Sequence, residues 1–144
     1  MTYKPYIVTF ACVFIGMSIV LGIIRLVFPN FSITGVSVTI PFFSALVAAE
    51  KFVKLQRRIP NETEKLALTH KSFIVVLIYN FVIAAIGYLL WMQISVSKSL
   101  PFGLTILIVM IVFLGMQYLM MRWAYGGLIA KRAPKILARL DTKS

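Results

Sequence analysis

Glu50 and Arg122 each stand at the end of a long run without a charged residue, Leu26–Ala49 and Ser99–Met121 respectively. Opposite charges at one depth suit an interfacial ion pair that fixes helix packing. The alternative chemistry is a gate or a contact for a cationic substrate. Uncharged polar residues lie inside runs of the same kind: Ser37 and Thr39 before Pro41, then Asn80, Gln93 and Gln117. Their default is a hydrogen bond between helices, worth roughly 0.6–2 kcal/mol; the alternative is a polar cavity lined by Ser37, Thr39, Asn80 and Gln117. His70, the one histidine, sits between Thr69 and Lys71, which suits a polar boundary residue or a pH sensor better than a metal ligand. Cys12 is the one cysteine, so no internal disulfide can form, and it reads as a small buried thiol. No G-x-S-x-G, Walker, H-E-x-x-H or C-x-x-C spacing occurs. No catalytic residue, metal site or cofactor is therefore expected, and the chain does not read as an enzyme. No Asp or Glu lies within an apolar run either. That disfavours proton-coupled antiport, which needs a buried carboxylate of raised pKa.

The elements that must position these groups are four charge-free stretches, Pro5–Ile24, Leu26–Ala49, Ser72–Ser97 and Ser99–Met121. Each is long enough to cross a hydrocarbon core of about 30 Å as a helix, which takes about 20 residues. The chain is 60% hydrophobic and only 13% charged, against about 45–50% and about 25% in soluble domains. A soluble core of this size cannot hide so much apolar surface. Continuous apolar runs rather than alternating ones mean helices, not a barrel. The spacing predicts an all-α membrane protein forming a single transmembrane domain. Its four transmembrane helices run over about 6–27, 33–58, 62–94 and 102–125, and a basic amphipathic tail covers 126–144.

Local signals set the joints. Pro29 and Asn30 form the first connector. Pro41 interrupts or kinks helix 2, with nearby Ser and Thr hydroxyls available to freed carbonyls. Glu50 and Lys54 are spaced for a helix-surface pair. Pro60 stops helix 2, and Asn61 with Glu64 three residues on makes a capping box for helix 3. Helices 2 and 3 thus project together as a short charged hairpin. Pro101 fits the first turn of helix 4. Ser18/Gly22 and Ala45/Ala49 offer small-residue contacts. Gly126-Gly127 reads as a hinge, beyond which the tail lies on a membrane surface as a basic helix.

Four spans place both termini on one side. Of the 15 basic residues, all but Arg25 and Lys98 fall on that side, which makes it the cytoplasmic one by the positive-inside rule. The net charge of +11 is thereby accounted for by orientation and by attraction to anionic lipid, without nucleic acid. Lys51, Lys54, Arg57, Arg58, Lys131, Arg132, Lys135 and Arg139 are the residues expected to touch anionic lipid or a membrane partner.

Two segments carry a resemblance. Ala48-Ala49-Glu50-Lys51-Phe52-Val53 with Arg58-Ile59-Pro60-Asn61-Glu62-Thr63-Glu64-Lys65, and Arg122-Trp123-Ala124-Tyr125-Gly126, are similar to the cytoplasmic hairpin and the fourth-helix exit of the AciT family. These are small four-helix inner-membrane proteins of Gram-negative bacteria, linked with ciprofloxacin tolerance. The resemblance implies a multi-pass protein of the bacterial inner membrane, associated with antibiotic or envelope-stress tolerance, and supplies no catalytic residue. The expectation is a non-enzymatic accessory protein with a basic cytoplasmic face, with self-association or another membrane protein as possible partners. The alternative is a small oligomeric transporter or channel for drugs or ions.

Overall fold

The computed structural model describes residues 3–28, 34–94 and 102–142, with the side chains of 34–38, 90–94 and 102–107 outside that description. Four long helices follow one another: α1 (Lys4–Val27), α2 (Thr34–Gln56), α3 (Glu62–Ile94) and α4 (Phe102–Trp123). A π-helical turn, Ala124–Leu128, leads directly into α5 (Ile129–Asp141). Among the described residues there is no strand. Among the described residues three helical stretches are long and apolar enough to cross a membrane: Lys4–Val27, Glu62–Leu89 and Ile108–Asp141. This is the signature of a membrane protein. α2 is not among the three; Glu50, Lys51 and Lys54 occupy its last turns.

The core sits at one end of the bundle. Tyr6, Phe10 and Phe14 repeat every fourth residue and so share one face of α1, as do Leu68, Ser72 and Val76 on α3. Ala45, Ala48, Ala49, Phe52 and Val53 are buried on α2, and Met121, Tyr125, Ile129 and Ala133 form a matching stripe through α4, the π turn and α5. α2 is the central element, packing on α1, α4 and α5. Its alanines let the neighbours approach closely, as expected of Ala45/Ala49. Ser18/Gly22 does not do the same, since a Cβ at Gly22 would meet nothing within 4 Å. Tyr6 packs on Phe52 with ring centroids 5.1 Å apart, and Phe14 meets Tyr79 edge-on at 5.0 Å. The far halves of α1, α3 and α4 turn large apolar side chains outward, with Leu26 84% and Phe81 75% exposed. Such a surface is stable against lipid and not against water. Cys12, expected to be buried, faces outward on α1.

The joint between α2 and α3 is built as its sequence suggests. Glu64 N–H donates to Asn61 Oδ1 at 2.8 Å, and Asn61 N–H donates back to Glu64 Oε2 at 2.9 Å. This reciprocal capping box satisfies two of the helix's orphan donors. Arg58 adds two bonds to the same carboxylate, at 2.8 and 2.6 Å. α2 ends at Gln56, two residues short of the expected limit, because Arg57 turns into the left-handed region at φ 49°.

The other end of the chain differs from expectation. Gly126 and Gly127 do not form a hinge: neither has positive φ, and the helix continues through them. A π turn absorbs the extra residue there. α5 consequently runs on in line from α4 and lays its apolar face, with Ile129 and Ala133 fully buried, against the bundle. It is an amphipathic helix, anchored on the bundle by Ile129 and Ala133 and exposed over most of its remaining length. Pro134 lies inside it.

Candidate functional site

α2 and α5 both point out of the charged end of the bundle, and a cleft of about 600 Å³ opens between them. Lys54 on α2 faces Arg132, Lys135 and Arg139 on α5 across it, with Glu50 at one wall. The α5 cations are spaced three and four residues apart, so helical geometry puts them on one face. Thr142 continues that row, and Ile136 and Leu140 supply an apolar floor. Four of the eight basic residues singled out by sequence therefore converge on one cleft.

The other four do not join them. Lys51 Nζ donates to Thr9 Oγ1 at 2.7 Å and ties α2 to α1. Arg58 serves the Glu64 carboxylate. Arg57 and Lys131 are exposed outside the cleft.

Glu50 is paired, but not with Arg122. Its Oε1 accepts from Arg132 at 3.3 Å, the two side chains being 30% and 52% exposed. The reason is register: because the helix runs on through the π turn, the level of Glu50 on α2 is met by α5, 82 residues away in sequence. Arg122 instead lines a second, smaller cleft of about 380 Å³ with Glu62, Lys65, Gly126 and Gly127. Lys65 donates to Glu62 there at 2.7 Å and holds that carboxyl below its ordinary pKa, with a weaker pull from Arg122.

Neither cleft is lined by the polar residues expected inside the spans. The side chain of Ser37 lies outside the described residues. Thr39 is half-buried, and Asn80 donates to the Val76 carbonyl of its own helix at 2.9 Å. Gln117 is buried on α4, and its Oε1 has no hydrogen-bond partner among the described residues. His70 accepts or donates at 3.1 Å with the Tyr118 hydroxyl. Among the described residues no three His, Cys, Asp or Glu side chains group as a metal site would require.

Two features of the charged end were not foreseen. Thr142 completes the α5 row; the repeat Arg132, Lys135, Arg139, Thr142 could have shown it. Ser72 and Tyr125, 53 residues apart, share a buried hydroxyl–hydroxyl bond of 2.7 Å that joins α3 to the π turn, and no local pattern announces that pairing.

No protein-family model, curated protein or solved structure matches this chain. The roles of these residues rest on their geometry alone.

Proposed function

We propose that this chain is a non-enzymatic, multi-pass protein of the bacterial inner membrane, with four spans, both termini in the cytoplasm, and a basic cytoplasmic end that contacts anionic lipid or a membrane partner. One observation carries the reading: Lys54, Arg132, Lys135 and Arg139 converge in a cleft that opens immediately beyond the charge-free run ending at Ala49. Each basic residue beside an anionic surface contributes about 1 kcal/mol, so a cluster of four acts well above thermal energy. α2 enters this reading as the fourth span, through its charge-free run up to Ala49. The similarity of the 48–53 and 58–65 segments to the AciT family supports a part in antibiotic or envelope-stress tolerance.

The test replaces the eight basic residues by glutamine and measures the anionic lipid retained on the detergent-solubilised protein by native mass spectrometry. Retention should fall sharply, and unchanged retention refutes the lipid contact. Reporter fusions at residue 61 and at the C-terminus check the orientation, and periplasmic signal at either refutes it. A second reading, a small oligomeric transporter or channel, has one observation in its favour, the unpartnered Oε1 of buried Gln117. Flux of a fluoroquinolone or of ions through reconstituted protein, abolished by Gln117→Leu, would establish it over the first.

A further inference from the structure

We infer that the cleft between α2 and α5 is a binding site for a phosphate group carrying about two negative charges, such as a phosphomonoester or a diphosphate. The inference rests on the reading of a basic, anion-contacting end and narrows it to one place and one chemistry.

The charge balance of the cleft is the starting point. Four cations face one carboxylate, and that carboxylate is committed to Arg132 at 3.3 Å. Among the described residues no acidic side chain lies within ion-pair distance of Lys54, Lys135 or Arg139. Three cations held together by helix packing repel one another unless an anion joins them. The packing is firm: Ile129, one turn before Arg132, and Ala133, next to it, are fully buried. A phosphodiester offers one charge and two free oxygens, whereas a terminal phosphate offers nearly two charges and three acceptor oxygens. The latter balances more of the cleft's charge and gives each of the three unpaired cations an oxygen of its own. The two arginines add planar forks that match a pair of phosphate oxygens. At about 600 Å³ the cleft is large enough for a phosphate with its attached group, being within the usual range for ligand sites. Ile136 and Leu140 give the attached group an apolar surface.

Glu50 takes a defined role in this site. Its carboxylate occupies one arm of Arg132, and an incoming phosphate competes with it. Removing that negative charge should therefore strengthen binding, because it frees Arg132 for the phosphate.

The same phosphate chemistry can reach the cleft from a lipid headgroup or from solution, and the experiment separates them. Full-length protein is placed in zwitterionic nanodiscs doped with phosphatidate, or with enough phosphatidylglycerol to match the surface charge, and lipid occupancy is read by native mass spectrometry. Inorganic pyrophosphate is titrated in parallel against the detergent-solubilised protein. Phosphatidate should bind more tightly than the charge-matched diester. Lys135→Gln and Arg139→Gln should each weaken it about fivefold, Glu50→Gln should strengthen it by a similar factor, and Arg57→Gln and Lys131→Gln should leave it unchanged. Pyrophosphate binding with the same variant pattern, without phosphatidate preference, supports the site and assigns a soluble source. Equal binding of the two lipids, with equal losses across all four cation variants and no pyrophosphate binding, overturns the site and leaves the basic-end reading standing. Binding of anionic lipid that ignores every one of these substitutions and the eight-residue neutralisation overturns both. Circular dichroism confirms that each variant retains its helices.

Discussion

Adjacent glycines in the π turn should respond to alanine in different ways. Gly126 and Gly127 both lie in helical backbone with negative φ, so glycine is not required by conformation at either. Alanine there loses less chain entropy on folding and should add roughly 0.5–1 kcal/mol of stability. At Gly126 nothing opposes this, since a Cβ would meet no atom within 4 Å. At Gly127 the same Cβ would lie 3.0 Å from Trp123 Nε1 and 3.1 Å from Cδ1. The indole would have to move, and it is stacked on Phe42 at 5.6 Å and 20°. A shift of a few tenths of an ångström strains a stack worth about 0.5–1.5 kcal/mol, and that strain opposes the gain. Gly126→Ala should therefore stabilise the protein, Gly127→Ala should be near neutral or destabilising, and the two should differ by about 1 kcal/mol. Reversible unfolding by SDS in mixed micelles, followed by far-ultraviolet circular dichroism, measures both. A Trp123→Ala background removes the obstacle, and there Gly127→Ala should gain as much as Gly126→Ala, a coupling that a double-mutant cycle isolates. Equal gains at the two positions in the parent protein would refute the steric argument. A loss at Gly126 would refute the helical assignment of the turn.

Two further perturbations address the charged end. Glu64 lies in the first turn of α3, ahead of the charge-free run that begins at Ser72. The Arg58 guanidinium, and after it the Asn61 N–H, holds its carboxyl below the ordinary 4.5. A depressed folded-state pKa contributes stability that is complete above the unfolded value and is lost as pH falls through the folded one. Hydrogen exchange at the Glu64 and Lys65 amides should therefore be flat from neutral pH to about 5 after correction for intrinsic rates, then show loss of protection below 4.5; Glu64→Gln should abolish that step. The Ser72–Tyr125 hydroxyl bond should show a coupling of about 0.6–1 kcal/mol in a Ser72→Ala, Tyr125→Phe cycle, and additivity of the two substitutions would show that the bond contributes nothing.

The pattern of charges and prolines along the chain is sufficient for the four long helices and for the joint between α2 and α3, because those depend on neighbours within about four residues. The 62–94 helix and the Asn61–Glu64 capping box come from such short-range chemistry, whereas Pro60 alone places the end of α2 two residues beyond its actual stop at Gln56. Membrane compatibility is equally local, since an apolar stretch either is or is not long enough. The sequence also marks which residues are basic, and hence the supply of cations from which a site can be drawn. Which of them meet is a matter of register between helices far apart in sequence. Lys54 and Arg139 share a cleft, while Lys51 and Arg58 are taken up by Thr9 and Glu64. Glu50 finds Arg132 rather than Arg122 because the π turn carries α4 on into α5, where a glycine pair in the sequence alone suggests a break. Such pairings follow from how buried faces fit, with Ala45, Ala48 and Ala49 letting the neighbouring helices close on α2. That fit depends on side-chain volume across many residues at once, and no short window of sequence contains it.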